Sequence, residues 1–257
     1  MIRAFLLLAG LALAALTFLQ PSENPTPAPP VCPGPGPCPA PQPKPAPRPS
    51  PRPWGDLLPA SVEASVGGRV APDGAQLMID LPGDRHVKNC GGSDGLGLCV
   101  FTSIGMAADW ANVPQLVDFQ GFMKRRPGGG YPSKVDAMIK AICAEKGQPV
   151  PEYLNVEAAD IDLIDAALAA GHVVCCTYSR SPTRRYKGAT IAHMVCIVHG
   201  DPKGNNGAGC YAILDNNYIG ESNYEYLSRA ELASVRPRWC VILISQPGPP
   251  PPPAPLS

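Results

Sequence analysis

Residues 89–104 read NCGGSDGLGLCVFTSI, a glycine-rich loop that leads into an apolar run with helical spacing. Apolar residues from Val100 to Ala111 recur three and four positions apart, which predicts a helix that ends before Pro114. Cys99 lies where the loop meets this helix. A helix N-terminus stabilises negative charge, so Cys99 is a candidate nucleophile, but a cysteine is also a common small buried residue. The rest of the chain has to separate these two interpretations.

The composition indicates one globular segment flanked by proline-rich sequence. The chain has 257 residues and 34 prolines, most of which lie in residues 21–53 and 246–257. The intervening residues 54–245 are enough to bury a substantial core. With 21 basic and 21 acidic residues the formal net charge is zero, so no basic surface for nucleic acid is expected. Ten cysteines favour an oxidising compartment.

Residues 1–20 have the pattern of an export signal. Arg3 precedes an uncharged run from Ala4 to Leu19, which fits a cleaved signal peptide or an uncleaved signal-anchor, and both remain open. Residues 21–53 predict a stiff polyproline II spacer, because regular prolines forbid helix and central strand. Residues 246–257 predict a disordered proline-rich tail. We therefore expect an exported protein, periplasmic or extracellular, or one anchored to the membrane by its N-terminus.

Within residues 54–245, helical patterns come first and strand patterns follow. Helical spacing marks four segments near residues 98–111, 116–123, 133–146 and 157–170, with Ser133 as the cap of the third. Short apolar runs predict strands at Val173–Tyr178, Met194–Val198, Tyr211–Leu214 and Cys240–Ile244. This order predicts an α+β fold, in which a helical lobe packs against a mainly antiparallel β-sheet lobe.

A nucleophilic Cys99 needs a base, and the base needs a residue that orients it. Among the four histidines, His193 begins a predicted strand, so it lies at the rim of the sheet and can face the helix of Cys99. His199 lies at the far end of that strand, where we expect a solvent-exposed turn residue. The next strand ends in Asp215, Asn216 and Asn217. Any of these side chains can orient an imidazole, although the same residue types are common in turns.

Four short segments, in this order along the chain, resemble the papain superfamily of cysteine peptidases. Gly97–Ser103 resembles the nucleophile segment, and residues 129–132, Gly-Gly-Tyr-Pro, resemble the substrate-binding loop. Ala192–Val195 is similar to the catalytic histidine strand, and Ile213–Tyr218 resembles the segment with the orienting asparagine. The resemblance spans residues 89–244. It implies a papain-like fold whose helical lobe carries the nucleophile.

The resemblance also implies roles for individual residues. Cys99 would be the nucleophile, and His193 its base within hydrogen-bond reach. Asn216 would orient the imidazole, with Asp215 as the alternative, because only one of two successive strand residues faces the histidine. Substrate would be bound by Gly129, Gly130 and Tyr131.

Two further expectations depend on the family comparison. The family's oxyanion glutamine falls on Ser93 here, and the nearest side-chain amide is Asn89, which we nominate as its replacement. A cysteine near the nucleophile is often disulfide-bonded in exported relatives, and Cys90 with Cys143 is one such pairing. No metal and no other cofactor is implied.

The expected function is that of an exported or membrane-tethered cysteine peptidase acting on peptide or protein substrates, including peptides of the cell wall. One alternative keeps the fold and changes the substrate, giving a cell-wall amidase or a transglutaminase-like acyl transferase. The other alternative is a catalytically inactive papain-like module used for binding or as a scaffold. No nucleic-acid partner is expected.

Overall fold

The structure, a computed structural model, describes residues 70–75, 77–79, 81, 83–90, 97–126, 128–178, 185–220 and 223–244. The predicted export signal, proline-rich spacer and C-terminal tail lie outside these residues, as does Ser93. In the part of the chain that is described, no helix combines the length and the apolar character that a bilayer span requires.

The described residues form an α+β fold, as the order of sequence patterns predicts. The helices are α1 (Leu98–Trp110), α2 (Phe119–Lys124), α3 (Pro132–Glu145), α4 (Ile161–Ala169) and α5 (Arg229–Ser234). The strands are β1 (Tyr153–Val156), β2 (Val174–Tyr178), β3 (His193–Asp201), β4 (Cys210–Leu214), β5 (Glu225–Leu227) and β6 (Cys240–Leu243). All six strands belong to one antiparallel sheet in the order β1-β6-β2-β3-β4-β5.

The sequence patterns do not predict β1, β5 or α5. β1 is a four-residue strand at the edge of the sheet, and its Tyr153 pairs with Leu243, far along the chain. α5 has six residues and begins with a capping box, in which Ser228 and Glu231 bond each other's backbone N–H groups. Such short elements carry too few residues for a period to stand out.

Three helices begin at residues other than the predicted ones, and the first of these, α2, begins at Phe119 and not near residue 116. α3 begins at Pro132, so Ser133 lies inside the helix and does not cap it. Proline suits this first position, because the N–H that it lacks would have no partner there. α4 begins at Ile161, because the Asp160 carboxylate accepts a hydrogen bond from the Leu163 N–H at 2.9 Å and so caps the helix.

α1 is buried along most of its length. Every residue from Leu98 to Ala108 is buried, so the helix is packed on all sides. Phe101 packs edge-on against Phe119 of α2, with ring centroids 4.9 Å apart. The Ser103 hydroxyl donates to the Met194 carbonyl in β3 at 3.1 Å. This packing brings the N-terminus of α1 beside the start of β3.

The cysteines in the described residues are all free thiols. The predicted disulfide between Cys90 and Cys143 is therefore wrong. The Cys90 thiol and the Cys90 backbone N–H both donate to Gln120 Oε1, each at 2.9 Å. Cys143 is buried in α3. A cysteine count alone could not decide this point, because a buried free thiol and a half-cystine look the same in sequence.

Candidate active site

Cys99 is the second residue of α1 and follows a turn at Gly97 that leads into the helix. The preceding Gly97 has φ 65° and makes no side-chain cap, and this left-handed conformation is one that glycine adopts without cost. The first backbone N–H groups of a helix have no partner within the helix. The Cys99 sulfur therefore lies at the positive end of α1, among N–H groups that can stabilise negative charge.

The turn before Cys99 also lies in close contact with the loop that precedes α3. A Cβ atom at Gly97 would lie 2.0 Å from the Gly130 nitrogen. A Cβ atom at Gly130 would lie 2.5 Å from Val100 Cγ2. Only glycine fits at both positions, so the two backbones touch next to the candidate nucleophile.

His193 is the first residue of β3 and its side chain joins two groups. Its Nε2 lies 2.8 Å from Asp215 Oδ1. The Cys99 side chain also hydrogen-bonds to this imidazole. Because Nε2 is taken by the carboxylate, Nδ1 is the ring nitrogen available to the thiol. The structure thus brings Cys99, His193 and Asp215 together, with the imidazole between the other two side chains.

Asn216, the first choice for orienting the imidazole, does not fill that role. Its amide nitrogen donates to the Cys99 carbonyl at 3.0 Å, the Ser103 hydroxyl at 2.9 Å and the Met194 carbonyl at 2.9 Å. Asn216 therefore fastens the first turn of α1 to β3. Asp215, the alternative, contacts the histidine, since successive residues at a strand end point in opposite directions.

Asp215 is completely buried and its carboxylate has several donors. Oδ1 accepts from His193 and also from the Asn217 backbone N–H at 2.9 Å. Oδ2 accepts from the Tyr186 hydroxyl at 2.7 Å, and the Arg185 guanidinium lies 3.9 Å away. Sequence reasoning misses Tyr186, because it lies in the loop between β2 and β3, where no periodicity or motif singles it out.

Burial and the neighbouring charges shift the pKa values of His193 and Asp215 in opposite directions. Burial lowers the pKa of His193, but the Asp215 carboxylate and the hydrogen bond with Cys99 outweigh it and raise that pKa to about 9. Burial raises the pKa of Asp215, but His193 and the other donors outweigh it and hold that pKa below its usual value. At neutral pH His193 is therefore an imidazolium and Asp215 a carboxylate.

The thiol and the imidazole face a cleft of about 1210 Å³. Gly129, Gly130 and Tyr131, the predicted substrate-binding residues, line it beside α1. Tyr218 and Trp239 line it from the sheet side. The cleft is large enough for a segment of extended peptide.

Asn89, the nominated oxyanion residue, also lines the cleft. Its amide nitrogen donates to Asn217 Oδ1 at 3.3 Å, and its backbone N–H donates to the Asn216 carbonyl at 2.8 Å. One amide N–H thus serves to hold the loop after β4. A role for Asn89 at the oxyanion stays a prediction.

A second group of a cysteine, a histidine and an aspartate lies at the other end of β3. Asp73, His199 and Cys210 each offer one ligand atom, and these atoms lie within 4.8 Å of one another. His199 is only 3% exposed, so its predicted place in a solvent-exposed turn is wrong. Its Nδ1 accepts from the Met78 N–H at 3.2 Å, so the neutral ring has its proton on Nε2. A metal ion would need that nitrogen unprotonated, so the group does not fit a metal site well.

Comparison with models of known protein families gives no match for this chain, and no curated protein matches it. The functional assignment therefore depends on the chemistry of the site.

Proposed function

We propose that the chain is a papain-like cysteine peptidase with a triad of Cys99, His193 and Asp215. The observation that carries the proposal is the buried imidazole, which hydrogen-bonds to a carboxylate on one side and to the Cys99 thiol on the other. A cysteine at a helix N-terminus that meets a histidine on an antiparallel sheet is also what the resemblance to the papain superfamily implies. Export and tethering of the enzyme remain part of the proposal.

In the first step the Cys99 sulfur, whose proton is held by the His193 imidazole, attacks the acyl carbon of a peptide bond, and a C–S bond forms. The carbonyl electrons move to oxygen, and the backbone N–H of Cys99 stabilises this oxyanion. When the C–N bond breaks, His193 gives its proton to the leaving amine, and a thioester remains on Cys99.

In the second step water hydrolyses the thioester. His193, now neutral, takes a proton from the water as the oxygen attacks the acyl carbon. The C–S bond then breaks, the carboxylic acid leaves, and the proton returns to the cysteine–histidine pair. Asp215 keeps the imidazole in place and balances its positive charge through both steps.

The cleft supports a peptide as substrate. Its volume is about 1210 Å³, and the backbone of Gly129 and Gly130 lines it beside Cys99. An extended peptide can bond such groups along its main chain, as an added strand does at a sheet edge.

The proposal is tested by labelling the purified chain with an epoxide inhibitor of thiol peptidases. We expect stoichiometric labelling of the wild type at neutral pH and none of Cys99→Ala. The matched control is Cys210→Ala, which should label like the wild type, because burial and Asp73 raise the pKa of the Cys210 thiol to about 11. Labelling that survives in Cys99→Ala, or is missing in the folded wild type, would contradict the proposal.

A peptide-library digest beside a peptidoglycan digest then identifies the substrate. Cleavage of library peptides, lost in Cys99→Ala, is the expected result. Activity on peptidoglycan alone would favour the cell-wall amidase, and labelling without turnover would favour a binding module.

A further inference from the structure

The carboxylate of Asp215 needs more than the histidine to hold it in place. Asp215 has no exposed surface, and a buried charge is costly unless each oxygen has partners. His193 and the Asn217 N–H both bond Oδ1. The hydrogen bonds to the other oxygen, Oδ2, fix the rotation of the carboxylate about its Cβ–Cγ bond.

Tyr186 supplies the direct hydrogen bond to Oδ2. Its hydroxyl lies 2.7 Å from that oxygen. The same hydroxyl accepts a hydrogen bond from the Asn217 side-chain amide at 3.0 Å. A phenol has one proton, and because Asn217 donates to the oxygen, that proton is directed at Asp215. The Tyr186 ring also lies edge-on to the His193 ring, with centroids 6.1 Å apart.

We propose that Tyr186 is a positioning residue of the triad, whose hydroxyl keeps the Asp215 carboxylate ionised and directed at His193. This inference rests on the proposed function, because it assigns Tyr186 a part in the same reaction. Asn217 acts through Tyr186, because the Asn217 amide fixes the direction of the Tyr186 hydroxyl proton.

The other charged groups around Asp215 do not replace this bond. The Arg185 guanidinium lies 3.9 Å from Asp215 Oδ2 and 3.9 Å from Glu225 Oε2, so its charge is shared between two carboxylates. Arg185 also donates to the Asn223 carbonyl at 2.6 Å. Tyr178 of β2 is a buried phenol whose pKa both carboxylates help to raise, after burial itself. Arg185 therefore contributes positive charge near Asp215, and the Tyr186 hydrogen bond fixes the orientation of the Asp215 carboxylate.

Tyr186 keeps its proton across the working pH range. Burial and the charge of Asp215 raise its pKa well above the usual value for tyrosine. In return, its hydrogen bond is one of the contacts that lower the pKa of Asp215. A hydrogen bond to a charged group shifts a pKa by about one to two units, so loss of the hydroxyl should raise the pKa of Asp215 by that order.

The test compares Tyr186→Phe with Tyr211→Phe. Tyr211 is a matched control, because its hydroxyl donates to the Asp165 carboxylate at 2.8 Å beside Arg229, away from the cleft. The titration of the Asp215 carboxyl carbon is followed by NMR in each folded protein. We expect its midpoint to rise by about one pH unit or more in Tyr186→Phe and to stay unchanged in Tyr211→Phe. Turnover should fall about tenfold in Tyr186→Phe with little change in KM.

An unchanged Asp215 midpoint in folded Tyr186→Phe would overturn the inference. Asn217→Ala is the second variant, for use if Tyr186→Phe fails to fold, and it should shift the midpoint in the same direction by less. Alkylation of Cys99 by iodoacetamide in the wild type tests the proposed function separately. A Cys99 that does not react would contradict the proposed peptidase function, whatever the Asp215 titration shows.

Discussion

The two ends of β3 each gather a cysteine, a histidine and an aspartate. The cleft end holds Cys99, His193 and Asp215. The far end holds Cys210, His199 and Asp73. In the cleft end the histidine bonds the carboxylate at 2.8 Å and also meets the thiol. In the far end the histidine is turned to a backbone N–H, and its other ring nitrogen is buried with no hydrogen-bond partner among the described residues.

This difference in bonding reverses the acid–base behaviour of the two histidines. The carboxylate and thiol raise the pKa of His193 to about 9 in spite of burial. Burial lowers the pKa of His199, and the more distant charges of Asp73 and Asp201 do not compensate for it. The same residue types therefore give a charged histidine at one end and a neutral histidine at the other. Hydrogen-bond direction, and not composition, separates them.

The largest expected effect comes from replacing the two histidines in turn. His193→Gln should lower kcat/KM by about 10³-fold, because both proton transfers are lost. His199→Gln should change it by less than about threefold, since the glutamine oxygen can still accept the Met78 N–H. Both values are measured on the best library peptide, with circular dichroism as the check on folding. Equal losses in the two variants would remove the distinction between the two ends.

The next effect concerns the aspartates. Asp215→Asn should lower kcat/KM by about 10²-fold, because the imidazolium loses the negative charge that stabilises it. Asp73→Asn, at the far end, is the control and should leave turnover close to that of the wild type.

A third variant tests, in the same assay, whether Asp215 or Asn216 orients the His193 imidazole. Asn216→Ala removes an amide whose two N–H groups reach three buried acceptors on α1 and β3, and each full hydrogen bond is worth about 1 kcal/mol. We expect a lower Tm with much of the turnover kept. If Asn216→Ala lost turnover as Asp215→Asn should, the asparagine would be the orienting residue after all.

The smallest effect is on the pH dependence of stability, and it has opposite signs at the two ends. The pKa of His193 rises from 6.5 to about 9 on folding, so its stabilisation is complete below pH 6.5 and is lost between pH 6.5 and 9. The pKa of His199 falls on folding, so its contribution is present above pH 6.5 and declines as the pH drops below that value. Urea unfolding of the wild type, His193→Gln and His199→Gln from pH 5 to 10 measures the free energy of unfolding as a function of pH. The same pH dependence in all three proteins would contradict the assigned charge states.

The sequence predicts α1 and the place of His193 well, because both depend on local patterns. Helical spacing marks α1, and an apolar run marks β3 with the histidine at its start. The choice between Asp215 and Asn216 depends on the register of β4 against β3, which shifts between Ile197 and His199. Such a bulge has no signal in either strand alone.

Other features of the site depend on contacts between distant parts of the chain. Tyr186 reaches Asp215 across the loop between β2 and β3, and β1 pairs with β6 across most of the fold. His199 follows an apolar run and precedes a turn, so its burial is decided by the packing of residues 77–79 over it. Patterns of spacing within one segment carry no information on these contacts.

The contact between Gly97 and Gly130 fixes the spacing of the cleft wall next to Cys99. The backbones of Gly97 and Gly130, with the Val100 side chain against Gly130, set the separation between the start of α1 and the loop that precedes α3. Exposed side chains such as Tyr131 and Tyr218 line the cleft without taking part in that contact. Under the proposed function, substitutions at these exposed positions would therefore change substrate selectivity while the position of the Cys99 sulfur stays the same.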